Sequence, residues 1–165
     1  MTRLAVLDGP LARELLAAPL VASLSTLSPE GTIHAVAVWF SWDGEAVCVA
    51  TSGASAKVRN LEQDSRATVM LHDSPGGMDV RGLTIAGRAT IVRGEEARAI
   101  NDRIHRKYVH ADGLRLPSVG SFLAADDVTI RLVPERASAW DETGTDAAQE
   151  LRASGRFVDT ARALR

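Results

Sequence analysis

The chain has 165 residues, of which 45% are hydrophobic and 24% charged, and its formal net charge at pH 7 is −2. This length favours one domain with its own core, and the charge argues against a dedicated nucleic-acid binder, which would usually be basic. The single cysteine, Cys48, excludes an intrachain disulfide and a zinc site built on several thiolates. No stretch predicts a membrane span or a signal peptide, so we expect a cytoplasmic protein.

Alternation of apolar and polar residues, with many β-branched side chains, predicts six strands. In chain order they cover residues 21–27, 32–42, 45–51, 66–72, 80–93 and 127–140. Asp43 and Gly44 are a strong signal for a tight hairpin between the second and third strands. Gly82 and Gly87 are expected where a long barrel strand bends, and Pro134 indicates an edge or a bulge in the last strand.

Helical periodicity and capping signals predict four helices and one longer loop. The first helix runs from about Asp8 to Pro19, and the second runs from the corner after residue 51 to about residue 63. The third and fourth cover residues 95–109 and 146–164, and the loop covers residues 110–121. The strands follow one another in meanders, which favours antiparallel pairing over the alternating pattern of a Rossmann fold. We therefore expect a mainly β fold with flanking helices (α+β), namely a small antiparallel barrel with helices at its openings.

The stretch TSGASAKVRNL, which begins at Thr51, stands where a strand becomes a helix. Thr51, Ser52 and Ser55 are hydroxyl donors, and a helix that starts near Ser55 would direct its free N–H groups the same way. Lys57 adds a compact charge that suits a phosphate, and Arg59 adds a planar fork of donors. This pattern indicates a phosphate site. The alternative is that Ser55 only caps the helix and both cations are solvated.

Other candidate residues carry weaker signals. Val38, Trp39 and Phe40 could wall a flat ring or belong to the core. The four histidines show no metal-ligand spacing, so we predict no metal site, and no phosphate-binding loop, dinucleotide fingerprint or nucleophile elbow occurs. Asp126 and Asp127 would point to opposite faces of a strand, which makes them poor candidates for shared acid–base chemistry.

Two segments of the chain together resemble a known family. The run LVASLSTLSPEGTIHAVAVWFSWDGEAVCVATS followed by AKVRNLEQDSRATVML is similar to the split β-barrel flavin and deazaflavin oxidoreductases, relatives of pyridoxamine 5′-phosphate oxidase. The most specific part is KVRNL followed by Asp64 and Arg66, and the later TIAGRATIV and TIRLVPERASAW extend the match to about residue 140. The resemblance implies a split-barrel cofactor-binding domain over residues 1–141. It leaves 142–165 as a C-terminal tail, which we expect to be helical.

The resemblance further implies a homodimer with cofactor sites at the subunit interface, a small-molecule substrate, and neither a nucleic-acid nor a membrane partner. The corner after Thr51 would hold the phosphate-bearing tail of the cofactor, with Lys57 as the main ligand, and the strand at Trp39 would lie along the isoalloxazine-like ring. Ser55 stands where many relatives have a basic residue. No catalytic side chain is assigned. The expected cofactor-binding residues are Ala37, Val38, Trp39, Thr51, Ser52, Ser55, Ala56, Lys57, Val58, Arg59, Asn60 and Met78, the last of which would cover the ring.

The form AKVRNL is most similar to the branch of the family that uses coenzyme F420, a deazaflavin with a lactyl-oligoglutamate tail. This implies a reductase that transfers a hydride from reduced F420 to an activated C=C or C=N bond of a small molecule. Two alternatives share the fold: an FMN-dependent oxidase or reductase, and a non-catalytic protein that binds the cofactor or haem.

Overall fold

A computed structural model describes residues 4–73 and 80–156 of the chain. Within these residues, seven strands form one antiparallel sheet: β1 Ala22–Leu27, β2 Ile33–Val38, β3 Phe40–Trp42, β4 Val47–Thr51, β5 Arg66–Asp73, β6 Arg81–Val92 and β7 Val128–Asp141. Five α-helices flank the sheet: α1 Pro10–Ala17, α2 Ala56–Gln63, α3 Gly94–Tyr108, α4 Pro117–Leu123 and α5 Asp146–Ser154. The predicted mainly β, antiparallel fold with flanking helices is confirmed.

The sheet curls because its two edge strands are neighbours in sequence. The strand order is β2-β1-β5-β6-β7-β4-β3, yet only Trp39 separates β2 from β3. In a flat sheet the edges would stand about 29 Å apart at a strand spacing of about 4.8 Å, and two peptide units span only about 7 Å. The edges must therefore approach each other at Trp39. The predicted single strand over 32–42 is wrong, since it divides at this residue. A hairpin joins β3 to β4 at Asp43 and Gly44 as predicted, although four residues (43–46) separate the strands instead of two.

A bulge bends the two longest strands, β6 and β7. Ala86 is paired with Arg136 and Gly87 with Pro134, so one residue of β7 has no partner in β6. A Cβ atom on Gly87 would lie 2.0 Å from the backbone oxygen of Val133, and only glycine permits this approach. The bend at Gly87 and the bulge at Pro134 are both as predicted.

Two apolar clusters hold the fold together. The larger one fills the inside of the curled sheet, where burying each large apolar side chain contributes about 1.5–3 kcal/mol; its fully buried members include Leu24, Phe40, Val69, Ile85 and Ile130. The smaller cluster joins α3 to the outer face of β4 through Cys48, Ile100 and Ile104. Burial, together with the nearby carboxylate of Asp43, raises the pKa of the Cys48 thiol to about 12, so this thiol is protonated at neutral pH.

The helices differ from the prediction at their ends. Helix α1 follows Gly9, and Asp8 closes a preceding 3-10 turn instead of capping the helix. Helix α4 lies in the segment predicted as a loop, because Pro117 at its first turn is preorganised for helical backbone. Helix α5 ends at Ser154, because the left-handed backbone of Gly155 caps it, and residues 157–164 of the predicted helix lie outside the described residues. Among the described residues, no helix is long and apolar enough to cross a membrane.

Candidate functional site

The corner between β4 and α2 is a short turn of small polar residues. Thr51 is buried at the end of β4 and pairs with Val128 of β7. The N–H group of Ser55 donates to the carbonyl of Ser52 at 3.0 Å, and that of Ala54 donates to the Ser52 hydroxyl at 3.3 Å. The side chain of Ser52 therefore shapes the turn that precedes α2.

Two carboxylates just before β7 support this corner. The N–H of Gly53 donates to Asp127 Oδ1 at 2.6 Å, and Nε2 of His105 lies 2.9 Å from Asp126 Oδ2. Because an ionised carboxylate only accepts hydrogen bonds, this His105 nitrogen carries the hydrogen. The two acids have separate partners, and both precede β7 instead of lying within a strand, as the prediction about them assumed. Their place at the corner carries no local sequence signal, since it arises from the pairing of β4 with β7.

Ser55 and Lys57 both lack a partner at this corner. Ser55 occupies the N-cap position of α2, but its side chain makes no capping bond, and its Oγ is buried without any hydrogen bond. In the part of the chain that the structure describes, Lys57 makes no hydrogen bond or ion pair. Burial lowers the pKa of its ammonium, and the negative charge of Asp126 partly opposes that shift. The corner thus contains a buried hydroxyl and a half-buried cation whose cost an anion would offset.

The other predicted residues of the corner are engaged elsewhere. Arg59 is exposed and donates to the carbonyl of Ala54 at 2.5 Å, within its own turn. Val58 lies in the core, and the amide of Asn60, which is 5% exposed, donates to Thr26 Oγ1 at 3.0 Å. These contacts give Val58 and Asn60 packing roles. Binding of a cofactor through either residue stays a prediction, as it does for Ala56 in the first turn of α2.

The junction between β2 and β3 contains the residues that were predicted to lie along a ring. Ala37 is exposed on the outer face of the sheet and Val38 points into the core. Trp39 is half-buried, and its indole stacks on the ring of Tyr108 with centroids 4.8 Å apart. One face of the indole is therefore already covered by the protein. Tyr108 is a residue that sequence reasoning missed, because nothing local connects α3 with this junction.

The junction and the corner lie at the same end of β4. Phe40 pairs with Val49, so Trp39 stands one step further along, beside the last residues of β4. Trp39 and Ala50 pack against the same apolar cluster under α3. The structure thus brings together the two groups of candidate residues at one end of the barrel. Met78 lies outside the described residues.

One known family matches nearly the whole folded part of the chain. The family model of pyridoxamine 5′-phosphate oxidase matches residues 9–141. The chain belongs to this family. The match ends at the last residue of β7, so the barrel as described above is the family domain. No functionally curated protein matches the chain.

Solved structures of the same split-barrel type are similar to this chain. A conserved hypothetical protein of Mycobacterium tuberculosis has a TM-score of 0.66 at 26% identity over 78% of this chain and 81% of its own. A protein described as an F420 reductase has a TM-score of 0.62 at 28% identity over 76% of this chain and 94% of its own. A haem-binding protein of Mycobacterium smegmatis, at 22% identity with a TM-score of 0.61 over 81% of this chain and 53% of its own, shares the fold.

The residues present at the corner fit the phosphate of a family cofactor better than they fit a metal. The free hydroxyl of Ser55 and the ammonium of Lys57 are donors, and donors bind oxyanions. Within residues 4–73 and 80–156 no three His, Cys, Asp or Glu side chains are grouped in a way that could hold a metal ion.

Proposed function

We propose that this protein is an F420-dependent reductase, which transfers a hydride from reduced F420 to an activated C=C or C=N bond of a small-molecule substrate. Membership of the pyridoxamine 5′-phosphate oxidase family supports a flavin-like cofactor, and the similarity to an F420 reductase at 28% identity favours the deazaflavin. The observation that carries the proposal is the pair of unsatisfied donors, Ser55 Oγ and Lys57 Nζ, at one end of the barrel.

The cofactor, when bound, supplies the hydride, and the protein supplies binding, orientation and the exclusion of water. Lys57 and Ser55 would hold the phosphate, assisted by the N–H groups of the first turn of α2, which have no acceptor within the helix. Thr51 and Ser52 shape the turn from which these donors project, and Arg59 lies near enough in sequence to assist. The stack of Trp39 on Tyr108 would limit the movement of the cofactor's ring system.

We further propose that the protein is a homodimer in which the cofactor lies between subunits. The outer face of the sheet supports this, since Ile33 of β2 is 74% exposed and Met70 of β5 is 36% exposed. Cross-strand pairing places Ala37, Ser23 and Met70 in one row on that face. Such an exposed apolar surface suits contact with a second copy. Mass measurement in solution tests this, and a Met70→Arg variant should dissociate the dimer; a wild-type monomer at micromolar concentration would contradict it.

Two alternatives remain within the family. An FMN-dependent oxidase or reductase would use the same corner, since FMN also carries a phosphate, and the family's own name favours it. A non-catalytic haem-binding protein has support only from the shared fold, at 22% identity. Unlike F420, FMN is present in ordinary expression hosts, so the FMN alternative alone expects a yellow purified protein.

The decisive experiment is a parallel titration of the purified protein with F420 and with FMN, followed through the fluorescence of each cofactor. We expect F420 to bind at least about tenfold more tightly than FMN, a difference of about 1.4 kcal/mol. Tighter binding of FMN would move the protein to the oxidase-like alternative. Binding of neither would remove the cofactor proposal and make haem the next ligand to titrate.

A further inference from the structure

A cavity is lined by the two carboxylates that support the corner, Asp126 and Asp127. It has a volume of about 880 Å³ and opens between α3 and the segment that carries α4. Leu114 and Leu123 form part of its wall, and Arg98, His105 and Arg115 provide polar groups. Its size falls in the range of about 300–1,000 Å³ that is typical of small-molecule sites.

The acidic side chains that line this cavity have partners, whereas two of the basic side chains do not. Each of its carboxylates has a partner: Asp102 pairs with Arg106 at 2.7 Å, Asp126 with His105 at 2.9 Å, and Asp127 accepts the Gly53 N–H at 2.6 Å. The guanidinium groups of Arg98 and Arg115, in contrast, make no hydrogen bond or ion pair with any residue that the structure describes. Two guanidinium groups therefore remain free to bind an anion that enters from solvent.

His105 adds a third polar group to the same wall. Its Nε2 donates to Asp126, so in the neutral ring Nδ1 is an acceptor. This Nδ1 has no partner among the described residues, and it is not sealed inside the protein. His105 as a whole is 9% exposed, which fixes its ring against α3 and Asp126. The cavity thus combines two free guanidinium groups, the acceptor nitrogen of a ring that is fixed in place, and an apolar wall.

We propose that this cavity binds a small organic carboxylate. The planar fork of a guanidinium matches a carboxylate through two parallel hydrogen bonds, which Arg98 and Arg115 are free to make. Leu114 and Leu123 contact the apolar body of the ligand, and His105 can accept a hydrogen bond from a hydroxyl group where that body carries one. The site is separate from the proposed cofactor site and does not depend on it, although Asp126 and Asp127 form a wall between the two.

Nuclear magnetic resonance of the ¹⁵N-labelled protein tests this inference with benzoate as the probe. Benzoate should shift the backbone amides of Leu114 and Leu123, while benzamide, which has the same shape without the charge, should shift them at least about tenfold more weakly. The double substitution Arg98→Gln and Arg115→Gln should weaken benzoate binding by about tenfold or more. Arg103→Gln is the matched control, because Arg103 is exposed on the same helix and does not line the cavity.

Several results would overturn the inference. One is that benzamide binds as tightly as benzoate, and another is that inorganic phosphate shifts the same amides as much as benzoate does. The others are that the double variant binds benzoate with wild-type affinity, or that benzoate causes no shift up to about 10 mM. If the double variant does not fold, as its spectrum would reveal, Arg115→Gln alone serves, since that side chain is exposed. The amide of Lys57, which does not line the cavity, reports on the corner, so failure here is distinguishable from failure of the cofactor proposal.

Discussion

The rings of Trp39 and Tyr108 are stacked face to face, with centroids 4.8 Å apart and an interplanar angle of 2°. The hydroxyl of Tyr108 also donates to the carbonyl of Leu20 at 2.7 Å and accepts the N–H of Phe40 at 3.2 Å. One tyrosine of α3 thereby holds the single residue at which the two edges of the sheet meet. The geometry of the predicted ring-binding strand depends on this contact.

Substitution of Tyr108 should therefore destabilise the barrel in two separable steps. Tyr108→Phe removes only the hydroxyl and should lower the free energy of unfolding by about 1–2 kcal/mol, since Leu20 and Phe40 each lose a partner. Tyr108→Leu also removes the stack and should cost about 0.5–1.5 kcal/mol more. Urea unfolding measures both values. A Phe variant as stable as the wild type would contradict the role given to the hydroxyl.

Ser55→Ala should have opposite effects on stability and on ligand binding. The buried hydroxyl has no partner in the free protein, so its removal should leave the free energy of unfolding unchanged or raise it by about 1 kcal/mol. F420 affinity should fall, because the hydroxyl is proposed to donate to the phosphate. The matched control is Thr145→Ala, since Thr145 does cap its helix by accepting the Ala148 N–H, and its loss should cost about 1 kcal/mol. Equal destabilisation of both variants would mean that Ser55 is an ordinary cap.

Lys107 should make the stability depend on alkaline pH. Its ammonium donates to the Leu16 carbonyl at 2.9 Å and lies 3.7 Å from the ring centre of Phe40, and burial lowers its pKa from 10.5 to about 8. Between pH 8 and 10.5 the unfolded chain binds the proton more tightly, so the wild type should gain stability relative to Lys107→Met as the pH rises through this window. The gain should not exceed about 3 kcal/mol. Unfolding of both proteins at pH 7 and pH 9.5 measures it, and a pH-independent difference would disagree with the lowered pKa.

Gly87→Ala should disrupt the bulge between β6 and β7. The new methyl group would lie 2.0 Å from the backbone oxygen of Val133, and a backbone atom cannot move aside as a flexible side chain can. We expect a loss of about 1–3 kcal/mol or more. Gly120→Ala is the control, because its methyl group would lie 3.9 Å from the carbonyl oxygen of Leu114, an ordinary contact, and α4 should gain helix propensity. Thermal unfolding of the two variants should shift in opposite directions.

Local patterns predicted most of the secondary structure because strand alternation, turns and caps are short-range properties. The hairpin at Asp43 and the bulge at Pro134 both followed from residue chemistry within a few positions. The break at Trp39 did not, since residues 32–42 are rich in β-branched and aromatic side chains and contain no Gly or Pro, and the division comes from closure of the sheet. Helix α4 was missed because seven residues carry too little periodicity to be distinguished from a loop.

Only the part of the candidate site that lies within one short stretch of sequence was predictable. Ser55 and Lys57 belong to one contiguous stretch, so the chemistry of the corner could be predicted from the sequence. The supports of that corner, Asp126 and Asp127, are distant in sequence and reach it through the pairing of β4 with β7. Asn60 illustrates the opposite problem, because its residue type suits a ligand contact while its amide is buried against Thr26.

The central claim is that this corner holds the phosphate of the cofactor through Lys57. The most direct test is to measure the F420 dissociation constant of the Lys57→Ala variant and to compare it with those of the wild type and of Arg103→Gln. Loss of a charged donor should raise the constant about 10–100-fold in the Lys57 variant, while hydride transfer in the saturated complex changes little. The Arg103 variant should bind as the wild type does. A Lys57→Ala protein that binds F420 with unchanged affinity would contradict the assignment of this corner as the phosphate site.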